Sequence, residues 1–156
     1  SKGKVEASII RFGTIFGVSQ GMRFHTAINK FCWQAVFGKP LTVWSTALNQ
    51  KRPYLGLNDA INCIDFFLKS EIFDGEIYNA VTSNYTVQQV IEAIKNYIDD
   101  LQIDLVNNKI MNQLSYEVST KKIESLGFAF KDNLEDGIKQ TISLLSNSKS
   151  ISEKNN

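Results

Sequence analysis

The segment 51–60, KRPYLGLNDA, most constrains the fold, because it takes the chain directly from a strand into a helix. Its apolar residues suit a short strand, and Pro53 is acceptable at the start or the edge of one. Asp59 is suited to cap the following helix by accepting a hydrogen bond from an amide in its first turn. Arg52 would then lie near a helix N-terminus, and both groups attract anions. A solvated charge on a strand is the alternative interpretation of Arg52.

Short apolar runs elsewhere predict strands that alternate with helices, which is typical of an α/β fold. The glycine-rich segment 12–21 follows the first strand, and its backbone either lines a ligand or forms a plain loop. It lacks the glycine spacing of a phosphate-binding loop and of the dinucleotide fingerprint. The predicted strands cover residues 5–10, 41–44, 76–81 and 103–106.

Helices are predicted where apolar residues recur every three or four positions. Thr86 and Gln89 form a capping box at the start of the clearest helix, and Asn133 caps the last one. The segment 146–156 consists mainly of Ser, Asn, Lys and Glu. We expect it to be a disordered polar tail that follows a single lobe over residues 1–145.

The chain has 156 residues, enough for one domain with a substantial core, and a net charge of +1. Because this charge balance produces no general basic field, nucleic acid is not an expected partner. The sequence contains no apolar stretch as long as a membrane span and no recognisable secretory signal. We therefore expect no membrane association and a cytoplasmic location.

The cysteine and histidine content argues against disulfides and metal binding. Cys32 and Cys63 fall on apolar faces of predicted helices, where buried free thiols are expected. His25 is the only histidine and lies in the first turn of a helix predicted over residues 24–37. With no second histidine and no clustered cysteines, no metal site is expected.

A series of short motifs extends along most of the chain: IRFGTIFG (10–17), GMRFH (21–25), GKPLTV (38–43), RPYL (52–55), Tyr78-Asn79, LGF (126–128) and LEDG (134–137). In their order and spacing these motifs resemble the C-terminal half of the extended short-chain dehydrogenase/reductase family. Within it they are similar to the NAD-dependent epimerase/dehydratase group, which includes UDP-glucose 4-epimerase and acts on nucleotide sugars. The resemblance covers about residues 5–143.

The resemblance implies a C-terminal substrate-binding lobe, an α/β fold with small mixed sheet pairs and helices that lacks the Rossmann domain. In such enzymes an N-terminal Rossmann domain binds NAD or NADP and carries a catalytic Tyr-x-x-x-Lys pair. No tyrosine here has a lysine four residues later: Tyr54, Tyr78, Tyr85, Tyr97 and Tyr116 are followed at that spacing by Asn58, Thr82, Gln89, Leu101 and Thr120. The chain is therefore interpreted as a fragment that has no catalytic residues and binds no cofactor by itself.

The resemblance also implies which residues bind substrate, a nucleotide-diphosphate sugar. Thr14 matches a position that contacts the sugar or the nicotinamide side. Arg23 and Asn29 match the loop and helix that meet the nucleotide sugar. Arg52 matches an arginine that contacts the diphosphate or the ribose, a role that suits a planar guanidinium. Asp59 matches a helix cap with a structural role.

Two departures from the family pattern bear on this site. His25 stands where relatives usually carry an acid, which alters any contact made there. Leu114 stands where many relatives have a second phosphate-binding arginine, and Lys109 is the nearest cation. Because one charged contact is worth about 1.5–3 kcal/mol, its loss would weaken diphosphate binding roughly tenfold or more.

Two classes of function remain open from the sequence. The first is the nucleotide-sugar-binding part of an NAD-dependent epimerase or dehydratase, inactive without its Rossmann half. The second is a stand-alone nucleotide-sugar-binding or protein-interaction domain without catalysis. In the first case, an apolar face around the first strand and the glycine-rich segment would lie exposed, and it is a candidate surface for self-association.

Overall fold

The structure, a computed structural model, describes residues 5–107 and 115–154. Strands and helices alternate irregularly along these residues, and a single 3-10 turn covers Ser45–Ala47. The strands are β1 (Ile9–Phe12), β2 (Thr14–Phe16), β3 (Leu41–Trp44), β4 (Lys51–Gly56), β5 (Ile77–Ala80), β6 (Ser83–Thr86) and β7 (Ile103–Val106). The helices are α1 (Ala27–Val36), α2 (Leu57–Lys69), α3 (Val87–Lys95), α4 (Lys121–Glu124) and α5 (Leu134–Lys154).

The strands form small sheets of mixed direction. β1 and β5 make a parallel pair, and β3 and β7 make another. In the third sheet β4 lies in the centre, parallel to β2 and antiparallel to β6. This arrangement confirms the predicted α/β fold with small mixed sheets and helices.

Two apolar clusters hold these elements together. The larger one joins α1, α3 and α5 to β3 and β4, and its fully buried members include Ile28, Val90 and Ile138. The smaller one joins α2 and α4 to β5, with Cys63 and Ile123 fully buried. Both cysteines are buried free thiols, as the sequence predicts.

Two strands, β2 and β6, were not predicted, and a third begins later than expected. Segment 12–21 contains β2, and it approaches β4 so closely that a Cβ on Gly13 would lie 3.0 Å from the carbonyl oxygen of Pro53. The strand predicted over residues 5–10 begins at Ile9. These differences arise because pairing partners come from distant parts of the chain, which local patterns do not encode.

Helix α1 begins at Ala27, not at residue 24, so His25 precedes the helix and is exposed. The prediction that His25 lies in the first helical turn is therefore wrong. The helix ends before Gly38, whose φ of +63° is the left-handed conformation expected of a terminating glycine.

Helix α2 buries only part of its apolar surface. Ala60, Cys63 and Phe67 face the smaller cluster. Ile61, Ile64 and Leu68, which the sequence also assigns to the apolar face of this helix, are 57%, 45% and 60% exposed. The described part of the chain therefore leaves an apolar stripe on α2 uncovered.

Helix α5 continues through Lys154, whereas the sequence predicts a disordered tail from residue 146. Leu145 is buried against the larger cluster. One turn later, the ammonium of Lys149 donates to the carbonyl oxygen of Val36 at the end of α1. These contacts extend the helix into a polar sequence, because tertiary packing outweighs weak local propensity. No helix in the described ranges is long and apolar enough to span a membrane.

Candidate functional site

A cleft of about 240 Å³ opens between the start of α1, strand β3 and strand β4. Its walls combine aromatic and aliphatic side chains with a few polar ones, which is typical of a small-molecule site. Three of its lining residues have basic side chains: His25, Lys30 and Arg52. The other lining residues are Ala27, Phe31, Thr42, Val43, Trp44, Ala47, Gln50, Tyr54 and Val87.

Arg52 is half-buried at the start of β4, and hydrogen bonds fix the direction of its guanidinium. One terminal nitrogen donates to the Lys51 carbonyl oxygen and the other to Gln50 Oε1, each at 2.8 Å. The central guanidinium carbon lies 5.4 Å from the centroid of the Tyr116 ring, within the range of a cation–π contact. The guanidinium is thus held in place at the cleft and is not a fully solvated strand charge.

The segment that carries Tyr116 lies along the start of β4. The amide of Lys51 donates to Ser115 Oγ at 2.9 Å, and the amide of Tyr116 donates to the Lys51 carbonyl oxygen at 3.3 Å. The Lys51 ammonium also forms an ion pair with Glu117. Leu114 and Lys109, named above for their place in the family pattern, lie outside the described residues.

Tyr54 forms part of the inner wall of the cleft and is buried. Burial raises the pKa of its phenol, while the nearby charge of Arg52 acts in the opposite direction. The Tyr54 ring also meets Phe16 edge-on at 6.5 Å between centroids. The side chain is therefore a neutral, fixed wall near neutral pH and not a proton acceptor.

Asn29 and Arg23 are joined to each other and not to the cleft. Asn29 is buried, and its Nδ2 donates to the Arg23 carbonyl oxygen at 3.1 Å. Its Oδ1 accepts from the amide of Gly17 at 3.4 Å. Asn29 thus connects the glycine-rich segment to the residues before α1, while the Arg23 side chain is exposed.

Thr14 begins β2 and lies opposite Tyr54 in the parallel register. It is half-buried and does not line the cleft. Of the residues predicted to bind substrate, Arg52 is therefore the one that lines this cleft, while Thr14, Arg23 and Asn29 lie in neighbouring segments.

Sequence reasoning did not assign Lys30, Trp44 and Gln50 to the site, although all three line the cleft. A signal for Lys30 was available, since it is three residues after Ala27 and shares its helix face. No comparable local signal marks Trp44 or Gln50, because the end of β3 and the residues before β4 meet only in the folded chain.

Asp59, predicted to cap α2, has a different structural role. The helix already begins at Leu57, and the Asp59 amide in its first turn donates to Asp132 Oδ2 at 3.0 Å. The buried Asp59 carboxylate instead accepts from the amides of Lys131 and Asp132 and from the hydroxyl of Thr82. It therefore connects α2 to two other segments of the chain.

The glycine-rich segment 12–21 does not form a cradle for a dinucleotide. The amide of Gly13 donates to the Ala80 carbonyl oxygen at 2.9 Å, and that of Gly17 donates to Asn29. Because these amides are used within the protein, the residues do not fit the pyrophosphate of NAD. Within residues 5–107 and 115–154, no cluster of three or more His, Cys, Asp or Glu side chains is arranged to hold a metal ion.

The chain is similar to two curated UDP-sulfoquinovose synthases, and no protein-family model matches it. The chloroplastic enzyme of Spinacia oleracea is 27% identical over 126 residues, which are 74% of this chain and 26% of that protein. The enzyme of Sulfolobus acidocaldarius is 27% identical over 122 residues, which are 73% of this chain and 31% of that protein. The chain thus matches less than a third of each relative.

The fold is similar to that of a crystal structure of UDP-glucuronic acid 4-epimerase from Bacillus cereus, in complex with UDP-glucuronic acid and NAD. The TM-score is 0.78 at 18% sequence identity, and the match covers 92% of this chain and 46% of the epimerase chain. The motifs in order, the small mixed sheets and these partial matches agree. The curated relatives and the structural neighbour are thus nucleotide-sugar enzymes of the kind that the motifs resemble, and the length of the matches is consistent with this chain being a C-terminal part of such an enzyme.

Proposed function

We propose that this chain is the nucleotide-sugar-binding part of an NAD-dependent nucleotide-sugar epimerase or dehydratase, and that the cleft at Arg52 binds the nucleotide diphosphate. The observation that carries the proposal is the fixed Arg52 guanidinium beside apolar cleft walls. A guanidinium held by other hydrogen bonds loses little conformational freedom when it binds phosphate oxygens. The similarity to UDP-sugar enzymes supports the same ligand class.

The other residues predicted to bind substrate, Thr14, Arg23 and Asn29, lie beside the cleft and do not line it. Asn29 orders the glycine-rich segment through Gly17, and it holds the backbone at Arg23. Thr14 lies beside the inner cleft wall at Tyr54. We propose that these residues form the border between the nucleotide cleft and the sugar. Their value to catalysis would be to orient the sugar carbon against a cofactor held elsewhere.

The cofactor, NAD or NADP, would be supplied by an N-terminal Rossmann domain of the parent protein. The amides of Gly13 and Gly17 are used internally, and no tyrosine is followed four residues later by lysine. We therefore expect the chain to turn over no nucleotide sugar when NAD is added. The coding sequence upstream of Ser1 tests this directly, because a parent enzyme requires a glycine-rich turn and a Tyr-x-x-x-Lys pair there.

Apolar side chains that are exposed on the β1–β5 pair support the presence of a partner that covers them. On the β1–β5 pair, Ile9 is 53% exposed and Phe12 40%, and the stripe on α2 is another exposed apolar area. A Rossmann domain is the partner proposed for this surface. The alternative function, a stand-alone binding or interaction domain without catalysis, predicts that the upstream frame ends without those motifs and that this surface mediates self-association.

The binding proposal is tested by calorimetry with UDP-glucose on the purified chain. Replacement of Arg52 in Arg52→Gln removes the charged contact and should weaken binding roughly tenfold or more. Arg11→Gln is the matched control, since Arg11 also lies on a strand but does not line the cleft. Equal affinity of the wild type and Arg52→Gln would refute the proposed site.

A further inference from the structure

The cleft has further basic lining residues besides Arg52, and they come from a different part of the chain. His25 lies two residues before α1, and Lys30 lies on the first turns of that helix. Arg52 comes from β4. Among the described residues that line the cleft, none is Asp or Glu. A ligand in this space would therefore meet positive charge from two separate elements.

Lys30 and His25 differ in their surroundings from the lysines that form ion pairs. Lys51, Lys69 and Lys122 each form an ion pair with a carboxylate. Lys30 is half-buried, yet neither it nor His25 has a side-chain hydrogen bond or ion pair within the described residues. Partly buried charge without a local partner is available for an anionic ligand.

The start of α1 adds to the same field. Thr26, the N-cap residue, makes no capping hydrogen bond with its side chain, and the first turn contains no acidic residue. The partial positive charge of the helix N-terminus is therefore not neutralised locally. An anion placed between the two walls would lie close to His25, and a nearby negative charge favours the protonated form of an imidazole.

We propose that His25 and Lys30, which line the same cleft as Arg52, form a second phosphate-binding wall, and that binding of a nucleoside diphosphate sugar is coupled to proton uptake by His25. The other charged groups that line the cleft with His25 are Lys30 from α1 and Arg52 from β4, and Arg23 precedes His25 on the same segment. This inference rests on the proposed function and extends it to regulation by pH. Under this proposal the chain binds phosphate through two sets of its own residues, and the histidine at position 25 makes that binding sensitive to pH.

The physical basis is linkage. The diphosphate diester of UDP-glucose keeps its charge across the neutral range, so any change of affinity with pH reports on the protein. Histidine is the side chain that ordinarily titrates between about pH 5 and 8. If the bound diphosphate stabilises the protonated form of His25, protonation of His25 must strengthen diphosphate binding by the same factor. The affinity for the nucleotide sugar therefore rises as the pH falls.

The test is calorimetry with UDP-glucose at about pH 5.5 and about pH 8, in buffers of different ionisation enthalpy. Wild type should bind about threefold to tenfold more tightly at the lower pH and take up part of a proton near neutral pH. His25→Gln should lose both effects. His25→Lys, which keeps a permanent charge, should bind tightly at both pH values without proton uptake.

Lys30→Met should weaken binding about tenfold at both pH values. Lys95→Met is its control, since Lys95 is an exposed lysine on α3 outside the cleft. If wild type and His25→Gln share the same pH dependence, or Lys30→Met binds as Lys95→Met does, this inference is wrong, while UDP-glucose binding still supports the proposed function. If the wild type does not bind UDP-glucose at either pH, the proposed function fails and this inference fails with it.

Discussion

Replacement of the buried Asp59 by alanine should cost a large part of the stability of this protein. The carboxylate is 1% exposed and accepts hydrogen bonds from Lys131 N at 2.8 Å, Asp132 N at 3.1 Å and Thr82 Oγ1 at 2.7 Å. Asp59→Ala leaves these donors without their acceptor. An unsatisfied buried donor costs about 1–3 kcal/mol, and because such costs are not fully additive we expect about 3–5 kcal/mol in total.

Asp65→Ala is the matched control on the same helix. Asp65 pairs with Lys69 at 2.7 Å on an exposed surface of α2. Such i,i+4 pairs are worth only about 0.3–0.5 kcal/mol. Asp59→Asn keeps one acceptor oxygen and should fall between the two, because its amide nitrogen cannot accept from the backbone.

Urea unfolding followed by the fluorescence of Trp33 and Trp44 measures these differences. With a urea m-value of about 2 kcal/mol/M, Asp59→Ala should lower the midpoint by about 2 M and Asp65→Ala by less than about 0.3 M. If both variants unfold at the same urea concentration, the carboxylate does not connect α2 to the distant segments and the argument is refuted.

Two further predictions concern packing and alkaline pH. A Cβ on Gly137 would lie 2.4 Å from the buried ring of Phe16, so Gly137→Ala should destabilise by about 1–3 kcal/mol despite the better helix propensity of alanine. Gly21→Ala, with no atom within 4 Å, should be nearly neutral, and a stable Gly137→Ala in thermal unfolding would contradict the close contact. Burial raises the pKa of Cys32 to about 12, and a hydrogen bond to a carboxylate raises the pKa of Tyr78 to about 12, from ordinary values of 9.0 and 10.0. Since the folded state favours the neutral thiol and phenol, their contribution to the stability of the fold is complete below about pH 9 and is lost as the pH rises toward 12. The urea midpoint should therefore fall over that range, and an unchanged midpoint would contradict the prediction.

The sequence predicts local features well because short-range contacts encode them. The capping box is present, with Gln89 N donating to Thr86 Oγ1 at 3.1 Å and Thr86 N donating to Gln89 Oε1 at 2.8 Å. Asn133 caps α5 by accepting from the Asp136 amide at 2.9 Å. The strands Leu41–Trp44 and Ile103–Val106 also match their predicted ranges. Each of these features depends on residues within one or two turns or on a short apolar run.

The candidate site was predicted only in part. Arg52 was identified through the resemblance, and the structure adds that Gln50 and Lys51 hold its guanidinium. Trp44 and Gln50 were missed as lining residues because no local pattern places the end of β3 beside the residues before β4, whereas Lys30 shares a helix face with Ala27 and was overlooked. The roles of Thr14, Arg23 and Asn29 in binding stay predictions.

The sequence alone determined the α/β class, the family resemblance and the local starts and ends of several helices, because motif order, apolar periodicity and capping residues are properties of neighbouring positions. Only the tertiary structure decided which strands pair, which face of α2 stays uncovered and where the Asp59 carboxylate finds its donors. The donors at Lys131 and Asp132 are 72 and 73 positions away along the chain. Contacts across such distances depend on the packing of whole elements, and no local pattern records them.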